Sequence, residues 1–221
     1  PNCHPEGLTS QLMETLENLR TDYVDLYMMH RDDPEVPAGE FVECLNEHVR
    51  AGRIRAFGGS NWSIERVTEA NEYAEKHGLQ GFAAINNNLS LARMVNPVWA
   101  GCVHNSDPES RAWFEKNKMP LLSWSSTGRG FFAKGDPNDL SDAPLVYSWY
   151  SSDNFERLER ARKLAKEKGV EPIQIAMAWV LNQPFATFAL FGPASIREMH
   201  ISIDALGLTL TREEIDWLWA G

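Results

Sequence analysis

Tyr23-Val-Asp-Leu-Tyr-Met-Met-His30 is an apolar run of strand length that ends on a titratable ring. Val24, Leu26 and Met28 alternate with Asp25, Tyr27 and Met29, and that period of two predicts a β-strand. Arg20-Thr21-Asp22 precedes the run, and the charged, proline-containing Arg31-Asp32-Asp33-Pro34 stops it abruptly. In α/β proteins the carboxyl end of a parallel strand opens on the crevice where ligands bind. A histidine delivered there is a candidate functional group. Taken alone, the same histidine reads more readily as a ring that only bonds a neighbouring loop, so its meaning depends on the rest of the chain.

Working outward, Leu8, Leu12, Leu16 and Leu19 recur at helical spacing. They predict an amphipathic helix from about Thr9 to Arg20, capped by Thr9 or Ser10. Phe41, Cys44, Leu45 and Val49 repeat the pattern, and Ala51-Gly52 closes it. A strand follows over Ile54–Ser60, then a helix with Ser63 as N-cap that ends at Gly78. Arg66 stands where a glutamate would complete a capping box. Further strands are predicted at Phe82–Asn86, Pro120–Ser125 and Thr187–Phe191. Helices are predicted from Asp107 to Asn117, Phe155 to Lys168, Pro172 to Asn182 and Ser195 to about Leu206. A capping box, Thr211-Arg-Glu-Glu214, opens the last helix. The residues from Ser126 to about Asp153 read as one long loop, longer than a plain connection needs.

Five strands alternating with helices predict parallel pairing and right-handed crossovers. No linker or low-complexity stretch interrupts the chain, so residues 1–221 read as a single domain. At about 44 residues per strand, a closed eight-stranded barrel needs more chain than this. The reading is an open sheet or a barrel without its first three strands. The opening Pro1-Asn2-Cys3-His4-Pro5 has no initiator methionine and reads as an internal start.

The bulk numbers set limits on function. Of 221 residues, 43% are hydrophobic and 24% charged, which fits a globular domain. The net charge of −10, with no long basic run, argues against nucleic acid or an anionic membrane as partner. Cys3, Cys44 and Cys102 are too scattered for a disulfide framework or a zinc site, and no metal is expected. With no signal-peptide pattern and no apolar stretch of about 18 residues, a cytoplasmic protein is expected.

The strand ends carry the polar groups. Gly58-Gly59-Ser60-Asn61 puts a hydroxyl and an amide where a flat amide group could be bonded. Trp124-Ser-Ser-Thr-Gly-Arg-Gly130 offers an aromatic plane and a glycine-rich loop whose N–H groups can approach a diphosphate. Gly192-Pro-Ala-Ser195 opens a helix whose first N–H groups suit a phosphate. Each alone is an ordinary turn, and none is a G-x-G-x-x-G or P-loop fingerprint. At successive strand ends they suit one long phosphorylated ligand. Trp99, Trp149 and Tyr150 fall in the long loops and could line a substrate pocket, whereas Trp62, Trp113, Trp179, Trp217 and Trp219 read as packing.

Leu19 to His30, Ala51 to Asn61, Trp124 to Gly130 and Leu190 to Leu206 together resemble the successive motifs of the aldo-keto reductases, over nearly the whole chain. The resemblance implies a (β/α)8 barrel of which strands 4 to 8 and their helices are present. It implies NADP or NAD as cofactor and a small carbonyl compound as substrate. His30 resembles the catalytic histidine. Ser60 and Asn61 resemble the pair that holds the nicotinamide carboxamide, and Asn86 stands where Gln is usual. Trp124 falls where an aromatic stacks on the nicotinamide. Ser125, Thr127, Gly128, Arg129 and Gly130 would lie along the pyrophosphate. Gly192, Ala194, Ser195, Glu198 and Ser202 would surround the adenosine phosphate, and Trp99 would face the substrate.

The departures matter as much. The family's Tyr, Lys and Asp from the first three strands are not in this sequence, and Tyr23, Tyr27 and Tyr73 do not replace the acid. The chain alone is therefore expected to be close to inactive. Glu198 replaces an Arg or Gln and Ser202 an Asn, which favours a 2′-hydroxyl over a 2′-phosphate. The competing expectation is a non-catalytic piece that binds nucleotide or a partner through the same loops. A barrel lyase would need a lysine or a metal cluster at a strand end, and the sequence offers neither. The open edge of the His30 strand would need covering by another copy, another chain or a further segment.

Overall fold

The computed structural model describes residues 4–220. The chain forms two compact units, Pro1–Asn86 and Asn87–Gly221. In the first unit α1 (Pro5–Leu19), β1 (Val24–Met29), α2 (Ala38–Arg50), β2 (Ile54–Ser60), α3 (Ile64–His77) and β3 (Ala84–Asn86) alternate. The strands are parallel, in the order β1-β2-β3, with Met29 opposite Gly59 and Ser60 opposite Asn86. Parallel strands need crossovers, and α2 and α3 supply them. Leu8, Leu12 and Leu16 of α1, with Phe41, Cys44 and Leu45 of α2, are buried as their spacing predicts, whereas Leu19 is exposed and Val49 half-buried. Phe41, Phe57, Trp62 and Phe82 form a continuous ring cluster, with centroids 4.9–5.6 Å apart.

The second unit contains α4 (Pro108–Asn117), β4 (Leu121–Ser123), α5 (Phe131–Lys134), α6 (Ala143–Trp149), α7 (Ser152–Lys168), α8 (Pro172–Leu181), β5 (Thr187–Ala189), α9 (Ile196–Asp204) and α10 (Arg212–Ala220). β4 and β5 are parallel. α8 is apolar on nearly every side and buried from Gln174 to Val180. Trp179 stacks on Trp219 with centroids 5.6 Å apart, and the Arg157 guanidinium lies 4.0 Å over the Trp219 ring.

Most elements lie within two residues of the sequence expectation, and the exceptions have physical causes: α7 starts at Ser152, three residues before the expected Phe155, because Ser151 caps it by accepting the Asn154 N–H. α1 starts at Pro5, where proline suits the first turn, and not at Thr9. Thr9 is inside the helix, its hydroxyl 3.0 Å from His48 Nε2. The expected 126–153 loop contains a short 3-10 turn at Gly128–Gly130 followed by α5 and α6. Asp142 caps α6 by accepting the Leu145 N–H. Trp149, expected over a pocket, is fully buried. Leu26 is exposed and Met29 is the buried residue of β1, against the expected alternation. Among the described residues only β2 pairs with β1, and on β1 Leu26 is exposed while Asp25 pairs with Arg55 of β2 at 2.6 Å.

Candidate functional site

His30 follows β1 directly and is exposed. The loop beyond it is held by Arg66 from the first turn of α3. Arg66 grips Asp32 at 2.9 Å (Nε to Oδ2) and 3.1 Å (Nη2 to Oδ1), donates to the Val36 carbonyl at 2.8 Å, and lies 5.2 Å over the Trp62 ring. Ser63 caps the same helix by accepting the Arg66 N–H at 3.2 Å. Arg66 therefore has a structural reason to replace the capping-box glutamate. That assignment was not legible from the sequence, because Asp32 lies 34 positions away.

At the ends of β2 and β3 the first unit brings three of the expected residues together. Ser60 Oγ lies 3.0 Å from both the carbonyl and the side-chain oxygen of Asn86, and the Asn61 amide donates to Ser60 Oγ at 3.1 Å. The Asn61 N–H donates to the Asn86 carbonyl at 3.1 Å, with Asn61 in the left-handed region at φ 59. Ser60 and Asn61 are buried. Gly58 and Gly59 lie inside the strand, not in a turn. A Cβ on Gly58 would stand 2.1 Å from the Ala84 carbonyl oxygen, and one on Gly59 2.6 Å from the Trp62 ring. The glycines let β3 and the Trp62 indole close against β2, and so set the backbone under Ser60.

The second unit gathers the 124–130 group. Trp124 bridges to Asn88, whose amide donates to the Trp124 carbonyl at 2.8 Å, and its own indole N–H is buried without a hydrogen-bond partner. Ser125, Gly128, Arg129 and Gly130 all have positive φ (50, 61, 54 and 86), and the Gly128 N–H closes on the Ser125 carbonyl at 2.9 Å. A left-handed arginine costs about 1–2 kcal/mol, so the path is set by its surroundings. Thr127 precedes the 3-10 turn. The Arg129 guanidinium lies 5.6 Å over the Trp99 ring, a contact worth about 0.5–1 kcal/mol at an exposed site. Ser126, not among the expected groups, is buried and donates to the Ser123 carbonyl at 2.8 Å, anchoring the loop.

At α9, Ser195 caps the helix by accepting the Glu198 N–H at 3.2 Å, and the Glu198 carboxylate accepts the Ala194 N–H at 2.8 Å. A negative charge thus sits on the N–H just before the N-cap of this helix. Ser202 Oγ donates back to the Glu198 carbonyl at 2.9 Å. Gly192 faces open space.

Three other ionisable groups, Asp153, His48 and His104, are shifted by burial and by their neighbours. Burial alone would raise the Asp153 carboxyl, but hydrogen bonds from Arg93, Ser151 and Arg157 outweigh it and hold it far below the usual range. Burial, then the Arg53 charge, lowers His48, and burial, with Arg93 opposed by Asp107, lowers His104. A cavity of about 640 Å³ in the first unit is lined by Glu6, Glu40, Glu43, Glu47, Cys44 and Tyr73 among others, and none of the expected site residues lines it. Among the described residues no group of three or more His, Cys, Asp or Glu is placed to hold a metal ion, and no helix is long and apolar enough to cross a membrane.

The sequence model of the Aldo/keto reductase family matches residues 1–219. The chain belongs to this family. The aldo-keto reductase YhdN of Bacillus subtilis is 29% identical over 217 residues, covering 94% of this chain and 60% of that protein. The aldo-keto reductase AFTS1 of Alternaria alternata is 25% identical over 218 residues, 96% of this chain and 56% of that one. Norsolorinic acid reductase A of Aspergillus parasiticus is 25% identical over 213 residues, 96% and 52% respectively. A crystal structure of a thermostable aldo-keto reductase, Tm1743, with the inhibitor epalrestat shares the fold, with TM-score 0.72 and 24% identity over 97% of this chain and 66% of that one. This aldo/keto reductase chain spans between 52% and 60% of the length of the three curated relatives named.

The groups present fit a nicotinamide dinucleotide in part. Ser60, Asn61 and Asn86 form a compact hydroxyl-amide cluster of the kind a carboxamide needs. The positive-φ turn at Gly128–Gly130 has the left-handed backbone of an anion-binding turn, although Gly128 is buried and its N–H already closes on the Ser125 carbonyl. The α9 end, with the Glu198 carboxylate already on the Ala194 N–H, does not fit an added phosphate.

Proposed function

We propose that the chain is part of an NAD(P)-dependent aldo-keto reductase that reduces a small aldehyde or ketone, with residues 1–221 as one incomplete barrel domain and β1–β5 as strands 4 to 8. The observation that carries this reading is the Ser60, Asn61 and Asn86 cluster at the carboxyl ends of β2 and β3, in a chain of this family. The first unit would hold the carboxamide. In the second, Trp124 would stack on the nicotinamide, and Ser125, Thr127, Gly128, Arg129 and Gly130 would receive the diphosphate. Gly192, Ala194, Ser195, Glu198 and Ser202 would take the adenosine end, where the Glu198 carboxylate favours NADH over NADPH. The bound cofactor would supply the hydride. In the first unit His30, exposed at the end of β1, would orient the substrate carbonyl; in the second, Trp99 would face the substrate.

Proton donation is the missing function. Burial, then the Cys44 charge, pushes the Tyr27 hydroxyl up, and the Tyr73 hydroxyl is also raised and bonds Glu43 at 3.2 Å. Both shifts run away from an acid useful near neutral pH. General acid catalysis is worth about 100- to 10,000-fold, so the chain alone should bind cofactor with turnover near background. This supports the second reading as well, a non-catalytic member that binds nucleotide or a partner. The open edges of β1 and β5, with exposed Phe188, Leu190 and Ile196, support a covering segment, chain or second copy. Free Cys44 and Cys102 suit the cytoplasm, and neither nucleic acid nor a membrane is part of this reading. Fluorescence titration with NADPH and NADH, beside a carbonyl-reduction assay, tests the proposal: binding with little turnover is expected, and no binding of either overturns it.

A further inference from the structure

Trp99 is the one exposed tryptophan among the described residues, at 60%. Its backbone is nevertheless held. Cys102 donates its N–H to the Trp99 carbonyl at 3.1 Å, with Gly101 at φ 76 between them. Just upstream, the Val95 N–H donates to the Ser148 carbonyl at 2.8 Å and the Asn96 amide to the Tyr147 carbonyl at 2.7 Å. An indole fixed at its base and largely in solvent is a presented surface, not a packing residue.

What lies over that face is Arg129, 5.6 Å from the ring. Arg129 is exposed, and among the described residues it makes no ion pair. Asp142, whose carboxyl is lowered first by Lys134 and least by Arg129, pairs with Lys134 instead. Arg129 also stands between two left-handed glycines in a left-handed conformation of its own, so flanking residues that turn easily surround the one guanidinium of the loop. A weak cation–π contact at an exposed site yields readily to a charge-assisted bond with phosphate oxygens.

We propose that Arg129 is an anion-responsive latch on Trp99: a diphosphate entering the Ser125–Gly130 loop draws the guanidinium off the indole, and the freed face then stacks on a flat, conjugated carbonyl substrate. This rests on the cofactor reading above and adds to it a coupling between the Ser125–Gly130 loop and the Trp99 face, and a substrate class. Aromatic carbonyl compounds gain from the freed face, and aliphatic ones of similar size do not.

The test uses the full chain and the variants Trp99→Phe, Arg129→Met and Arg129→Lys, all at exposed positions. The emission of wild type minus that of Trp99→Phe isolates the Trp99 signal. Calorimetry with inorganic pyrophosphate, NADP⁺ and NAD⁺ runs in parallel and does not depend on any tryptophan. We expect a saturable change in the Trp99 signal at the calorimetric midpoint. It should be lost in Arg129→Met, where dinucleotide affinity falls about 10-fold, and partly kept in Arg129→Lys. Binding of 4-nitrobenzaldehyde should tighten several-fold once dinucleotide is present, in wild type and not in Trp99→Phe. Saturable heat with a flat Trp99 signal overturns the latch and leaves the cofactor reading standing. No heat with any of the three ligands overturns both.

Discussion

Arg66 and Asp32 form a two-pronged ion pair, at 2.9 and 3.1 Å, that joins the first turn of α3 to the loop leaving His30. Side-chain exposures of 15% and 9% place the pair largely out of water, where removing one partner strands the other. Arg66→Ala should cost about 3 kcal/mol, read as a lower urea midpoint at unchanged slope. Arg66→Lys should recover only part of it, since one ammonium cannot serve both carboxylate oxygens and the Val36 carbonyl. An Arg66→Ala midpoint equal to wild type would show that the loop is held by other contacts.

Gly58→Ala and Gly52→Ala separate crowding from backbone strain. The added methyl at position 58 would meet the Ala84 carbonyl at 2.1 Å, whereas at Gly52 it meets nothing, and only φ 72 opposes it. Chemical denaturation should show a loss of about 3 kcal/mol or more at 58, by forcing β2 and β3 apart. The loss at 52 should be about 1 kcal/mol. Equal losses would mean that β3 can shift without consequence.

His48 makes stability depend on pH. Arg53 can only donate, so His48 Nδ1 accepts from it at 3.2 Å, and Nε2 therefore carries the proton facing Thr9 at 3.0 Å. Burial, then Arg53, depresses the folded-state pKa. Above the unfolded value of about 6.5 both states are neutral and stability is full. As pH falls below it the unfolded chain gains the proton first, so stability falls until the folded pKa is passed. His104, also lowered, adds in the same direction. Urea midpoints from pH 8 to 5 should decline below about 6.5, and His48→Gln should flatten the decline. A midpoint constant across this range would contradict the assignment.

The strands and helices were legible because short-range signals set them: Ser63, Asp107 and Ser195 cap where the sequence places them. The 131–149 helices were not, because Gly130, Gly135, Pro137 and Pro144 punctuate the stretch as a loop while Phe131, Phe132, Leu145 and Trp149 bury it as a packed element. Exposed Leu26 misled for the opposite reason, since alternation assumes a covered face. Of the candidate site, the clusters local in sequence or in strand register, Ser60 with Asn86 and Trp124 to Gly130, could be read in advance. Arg66 with Asp32 and Arg129 with Trp99 could not, because no local pattern links side chains about 30 residues apart.

Glu198 gives the sharpest test of the adenosine end proposed above. Its carboxylate accepts the Ala194 N–H at 2.8 Å while its own N–H is capped by Ser195, so the charge is fixed at the start of α9 instead of sweeping through solvent. Glutamine keeps the acceptor oxygen and removes the charge. If the adenosine phosphate is received here, Glu198→Gln should raise NADPH affinity about 10-fold relative to NADH, a change of about 1.4 kcal/mol, with little effect on NADH itself. Competitive titration of the two cofactors on wild type and variant reads that ratio directly. An unchanged ratio would move the 2′-phosphate away from α9, because a charge removed within hydrogen-bond reach of a phosphate cannot leave its binding untouched.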